Sequence, residues 1–187
     1  MTKVALVTGS ADRAASLRAA FEAGGVQALG LADIRATTGP VDYYVQLGVT
    51  VPVRGETVIR RVHAFLEGGL LERFATVDQV RPLLAPDASV LLVTGNTSTD
   101  LIAPDDRSAR LALLRVLAHA LRADMAPGKV RVRVVSGEPT DAELVEYALG
   151  GGEEPMVGPV EPPGGGMADR DYEDWRAAVL GLFTVEV

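Results

Sequence analysis

The stretch Val4–Asp33, VALVTGSADRAASLRAAFEAGGVQALGLAD, decides the fold. Val4-Ala5-Leu6-Val7 is a short apolar run closed by Thr8-Gly9-Ser10, which reads as a buried strand and a turn. A helix follows, with Leu17, Ala20 and Phe21 on one face and Ser10 or Asp12 as its cap. Gly24-Gly25 stops it, and Val26 to Leu31 is a second strand ending at Ala32-Asp33. Strand, turn, helix, strand is a βαβ unit. The two strands are then parallel and joined by a right-handed crossover.

The same alternation continues outward. Val41–Gln46 reads as a third strand ended by Gly48, and Glu56–Glu67 as a helix that Gly68-Gly69 either interrupts or lets pack closely. The helical pattern resumes from Leu70 towards Leu84, where Pro82 and Pro86 end it. Ser89–Val93 is the clearest buried strand and Ala109–Met125 the clearest helix, apolar most of the way round. Val130, Val132 and Val134 alternate with Arg131 and Arg133 in a further strand. Thr140–Leu149 is a short helix with Thr140 or Asp141 as cap. Gly150–Gly166 holds seven glycines and four prolines, which makes it an irregular segment. Asp169–Phe183 reads as a last helix and Thr184–Val187 as an edge strand. The expectation is an α/β fold in one domain over 1–187: a doubly wound, mostly parallel, Rossmann-like sheet.

Composition narrows the function. The 187 residues hold no cysteine, which excludes disulfides, a thiolate nucleophile and zinc–thiolate sites. A net charge of -7 argues against a nucleic-acid partner, which requires a basic surface. Leu111–Met125, the longest apolar helical stretch, is interrupted by Arg115, His119, Arg122 and Asp124 and does not span a bilayer. Met1-Thr2-Lys3 runs straight into the first strand without a secretory pattern, so the expected location is cytoplasmic. His63 and His119 are far apart in the pattern and give no metal-ligand spacing, so no metal is expected.

Several stretches resemble the short-chain dehydrogenase/reductase family: VALVTGS over 4–10, VDYYVQLG over 41–48, SVLLVTGNTS over 89–98 and AHALRADMAPGKVRVRVVSG over 118–137. They cover most of Met1–Glu138. The short gap before Val41 implies that one strand–helix unit is missing, which shortens the fold. The resemblance implies NAD(P) binding through Gly9, Ser10 and Arg13 at the first turn, and Asp33 near the adenine ribose. Yet the later glycine positions of the family's Thr-Gly-x-x-x-Gly-x-Gly turn hold Arg13 and Ala15. Side chains there keep a pyrophosphate from the backbone, so nucleotide binding is expected to be weakened or lost.

The family's catalytic residues do not carry over. The tyrosine position falls on Arg107, the lysine position on Leu111, the serine position near Thr94 and the asparagine position near Glu67. No Tyr-x-x-x-Lys exists: Tyr43, Tyr44, Tyr147 and Tyr172 are followed four residues on by Leu47, Gly48, Gly151 and Arg176. Hydride reduction in this family needs a phenol whose pKa a nearby lysine lowers, and leucine does not do that.

Two function classes follow. One is a non-catalytic subunit that pairs with itself or with an active relative through the two apolar helices. Leu117 and Leu121 would lie in that interface. The other is a small non-redox enzyme, an isomerase, cyclase or lyase. Its candidate residues are Thr94, Asn96, Ser98, Asp105 and Arg107, in loops at the carboxyl ends of strands. A third reading, an atypical oxidoreductase, would need Tyr43 or Tyr44 as proton donor. Substrate and partner identity are not written in the chain.

Overall fold

Among the described residues, five parallel strands lie in the order β2-β1-β3-β4-β5. They are β1 (Val4–Thr8), β2 (Gln27–Gly30), β3 (Val41–Gln46), β4 (Leu84–Val93) and β5 (Arg131–Val135). The computed structural model describes residues 2–36, 40–49, 57–95, 105–125, 128–137 and 139–151. These belong to one compact unit, Met1–Gly152. The expected Gly/Pro segment beyond Gly151, the helix Asp169–Phe183 and the edge strand 184–187 lie outside the described residues.

Alternation along the strands explains the two layers. Leu6, Tyr44, Val90 and Leu92 point to one face, against Val77 and Val80 of α3 (Glu72–Val80) and Leu114, Leu117 and Leu121 of α4 (Asp105–Asp124). Ala5, Val7, Val45, Leu91 and Val93 point to the other. There they meet Leu17 and Phe21 of α1 (Ala11–Ala23) and Leu144 and Ala148 of α5 (Asp141–Leu149). Sheet strands buried on both faces read as near-continuous apolar runs, as β1 and β4 do. β3 pairs directly with β1, from Ala5↔Tyr43 to Thr8↔Gln46, so no strand stands between them among the described residues. The expected shortening lies at the other side of the sheet: the full Rossmann order 3-2-1-4-5-6 has a further strand outside β2, and here β2 is the edge among the described residues.

Local chemistry moves some boundaries. Thr57 caps α2 (Val58–Leu66), accepting from the Arg60 amide at 3.3 Å. Gly68-Gly69 neither breaks the helix nor packs within a regular one. It sits in a π turn, Glu67–Leu71, that joins α2 to α3 and buries Gly69 and Leu70. The helix expected to reach Leu84 stops at Val80, because Pro82 has no amide hydrogen to continue it. A 3₁₀ turn, Arg81–Leu83, leads straight into β4, five residues earlier than expected. On α5 it is Thr140 that caps, in a box with Glu143: the Glu143 amide donates to the Thr140 hydroxyl and the Thr140 amide to the Glu143 carboxylate. The Thr140 amide and hydroxyl, both donating to it, hold the Glu143 carboxyl below its ordinary pKa.

Two expectations are corrected. Ser10 stands at the cap position of α1, but its side chain makes no capping bond, and Asp12 lies inside the first turn. Leu117 and Leu121 are 5% and 2% exposed, packed on their own sheet rather than on an outward face. The outward positions of α4 hold Ala112, His119 and Ala120.

Candidate functional site

The chain leaves β1 through α1 on one face of the sheet, and leaves β3 through α2 and α3 on the opposite face. Their adjacent carboxyl ends are therefore a topological switch point, where open α/β sheets bind ligands. A cleft of about 350 Å³ opens there, lined among others by Thr8, Gly9, Leu31, Leu47, Glu72 and Thr76.

Backbone contact forms the floor beside it. Gly9 has φ +114, and a Cβ added to it would lie 2.5 Å from the Leu47 carbonyl oxygen. The Leu47 amide donates to the Thr8 carbonyl at 2.9 Å, which fixes that approach. Gly48 and Gly95, after β3 and β4, meet in the same way: a Cβ on Gly48 would lie 2.6 Å from the Gly95 Cα. Only glycine satisfies these positions.

Beneath the cleft runs a buried polar network. The Thr8 and Tyr44 hydroxyls are 3.1 Å apart, and Tyr44 is fully buried. Burial pushes the Tyr44 phenol up to about 12; the Thr8 bond and the Arg73 charge offset only part of this. Arg73, 4% exposed, donates through Nε to Gln46 Oε1 at 3.0 Å. Its Nη2 donates to the carbonyls of Gln46 at 3.2 Å and Val93 at 2.8 Å. Gln46 Nε2 returns a bond to the Arg73 carbonyl at 3.0 Å. Arg73 thus ties α3 to the ends of β3 and β4. A buried guanidinium is tolerable only when hydrogen-bonded in this manner.

The other side of the crevice is bridged by Arg13. Its Nη2 donates to the Pro139 carbonyl, and its Nε lies 3.9 Å from the Asp141 carboxylate, which also accepts from Ser16 at 2.5 Å. Arg13 therefore clamps α1 to the start of α5 and is not among the described residues of the cleft wall. Asp33 is exposed and accepts from the Gly30 amide at 3.0 Å, closing the turn after β2. Of the four cofactor candidates, Gly9 is the one that lines the cleft.

Thr94 is 2% exposed, its amide donating to the Val135 carbonyl at 2.9 Å. Asn96 and Ser98 lie outside the described residues, as do the side chains of Asp105 and Arg107 in the first turn of α4. Glu67, at the family's asparagine position, is exposed on the π turn and faces His63 at 3.6 Å. Leu111, at the lysine position, is half-buried on α4. Tyr43 stacks on Phe21, ring centroids 6.3 Å apart, on the α1 face. Gln46, Glu72, Arg73 and Thr76 were not among the candidates. The signal for Arg73 is its place on the Leu70–Arg73–Val77–Val80 stripe, a charge at a position the helical period assigns to the core.

No protein-family model matches the chain, and no curated protein matches it. Solved structures do. The protein lin1944 from Listeria innocua aligns at TM-score 0.53 and 14% identity, over 79% of this chain and 92% of that one. A Corynebacterium glutamicum protein, provisionally described as a short-chain dehydrogenase/reductase, aligns at TM-score 0.52 and 16% identity, over 81% and 94%. The fold is Rossmann-like, as it is in these neighbours. At these identities the likeness is one of fold. Among the described residues no helix is long and apolar enough to cross a membrane, and no three His, Asp or Glu side chains are grouped to hold a metal ion.

Proposed function

We propose that this chain performs no hydride transfer and serves as a non-catalytic subunit with a short-chain dehydrogenase/reductase-like fold. The observation that carries the reading is the Arg13 bridge. A side chain stands where the family's turn needs a glycine, and its guanidinium is engaged with α5 instead of facing a pyrophosphate. Tyr44 supports the same conclusion. Its phenol is sealed from ligand and its pKa is raised, the opposite of what proton donation requires. This also argues against the atypical oxidoreductase.

The subunit part of the reading is supported by exposed apolar side chains on the run from α2 to α3. Ile59 is 82% exposed, Leu66 40% and Leu71 64%, and Ile59 and Leu66 are two turns apart on one helix face. The partner is a second copy or a related active chain. Sedimentation of the wild type beside Ile59→Asp tests it. A wild-type oligomer that the substitution dissociates supports the reading; a wild-type monomer overturns a second copy as the partner.

The switch-point cleft favours a second reading, in which the same scaffold binds a small molecule for non-redox chemistry. Its volume lies at the lower end of the range of small-molecule sites and suits a ligand smaller than a dinucleotide. Co-purification of a small molecule, read by mass spectrometry of the denatured protein, tests it.

A further inference from the structure

We infer that the switch-point cleft is built for a small organic cation, a primary amine carrying an apolar body. This rests on the second reading, that the cleft binds a ligand, and is independent of the subunit reading.

The argument is an inventory of hydrogen-bonding capacity around the cleft. The donors on its α3 side are largely engaged. Arg73 directs Nε and Nη2 at the ends of β3 and β4, and Gln46 directs its amide at the Arg73 carbonyl. The Thr76 hydroxyl donates to the Glu72 carbonyl at 2.8 Å, which leaves its oxygen lone pairs as acceptors. The Glu72 carboxylate has no hydrogen-bond or ion-pair partner among the described residues. Glu72 and Thr76 are one turn apart, and both line the cleft. Among the described residues, the remaining capacity on this wall is therefore the acceptor capacity of the exposed Glu72 carboxylate and the Thr76 hydroxyl, while the Arg73 charge behind them is turned to the carbonyls at the strand ends. A ligand that matches it brings N–H donors and a positive charge.

Leu31, Leu47 and Val49 give the wall an apolar stretch beside Thr8, Gly9 and Gly68. Leu31 is 40% exposed, a large apolar side chain at the cleft that a ligand body would cover. The overall charge of -7 raises the local concentration of cations and disfavours anions. The first-turn amides of α1, at the same end of the sheet, favour an anion instead, so the test carries an anionic arm.

Titration calorimetry of the full chain with 2-phenylethylamine, 2-phenylethanol and 3-phenylpropanoate separates the classes, because the three share a ring and differ in charge. The expected result is saturable binding of the amine, weaker by about tenfold or more for the alcohol, and none for the carboxylate. Glu72→Gln should weaken the amine by about tenfold or more and leave the urea midpoint unchanged. Binding of the alcohol or the carboxylate as tight as the amine would overturn the cation assignment and keep the cleft as a ligand site. Silence from all three probes would overturn both. Amine binding unchanged in Glu72→Gln would also overturn the assignment.

Discussion

Replacing Arg73 by methionine tests the physics beneath the cleft. The substitution keeps an unbranched chain of similar reach and removes the guanidinium. Among the acceptors that lose their donor are Gln46 Oε1, the Gln46 carbonyl and the Val93 carbonyl. A stranded buried acceptor costs about 1–3 kcal/mol. Gln46 Nε2 keeps its bond to the backbone carbonyl of residue 73, and water from the adjoining cleft reaches part of what is exposed. Removing a buried charge also relieves its desolvation. The net expectation is destabilisation of about 3 kcal/mol. The assay is urea denaturation, with a lower midpoint at unchanged slope. A double-mutant cycle with Gln46→Leu sharpens it: the two side chains should couple by about 1.5–3 kcal/mol, the range for bonds to a charged group. A single-mutant loss below about 0.5 kcal/mol, the size of an ordinary surface change, would refute the claim that this network joins α3 to the sheet.

Further outcomes follow from the same geometry. Gly9→Ala combines an unfavourable φ with a clash on the Leu47 carbonyl and should cost about 1–3 kcal/mol, read from the thermal midpoint. Leu121→Asp should unfold the chain rather than dissociate an oligomer, because Leu121 is in the core; circular dichroism showing a native fold would contradict its placement. One of the four tyrosines should ionise near 12 in an ultraviolet pH titration, and Tyr44→Phe should remove that step. The raised folded pKa makes the Tyr44 contribution fully present below pH 10. It is lost as pH rises through about 12, amounting to about 2–3 kcal/mol. Thr140→Ala should cost about 1 kcal/mol by removing the α5 cap.

Much of the fold was legible because apolar runs and breakers carry it. Val4–Val7, Ser89–Val93 and the alternation over Val130–Val134 each place a strand, and the short gap before Val41 announces the missing unit. The boundaries were less legible where two rules compete. Pro82 ends α3 early, yet β4 accepts Pro86 in its exposed portion. The two-glycine interruption reads equally well as a break or a close contact, and only packing of Gly69 and Leu70 selects the π turn. Amphipathic reading of α4 went too far, since Leu114, Leu117 and Leu121 suffice to fill one face and the partly buried leucines lie beside it. The site was the hardest part. The resemblance directs attention to Arg13 as a residue facing phosphate, whereas its partner Asp141 is 128 positions away and no local pattern predicts the pair. Arg73 and Gln46 are likewise joined across elements. Their signal is a polar residue at the end of an apolar strand, facing a charge on an apolar helical stripe.

The most direct test of the central claim is a fluorescence titration of the purified chain with NADH and NADPH, repeated on Arg13→Gly. The account predicts no saturable change at millimolar cofactor for the wild type, because Arg13 occupies the turn and is held on Pro139 and Asp141. Saturable binding of either cofactor by the wild type would contradict it and return the crevice to redox chemistry.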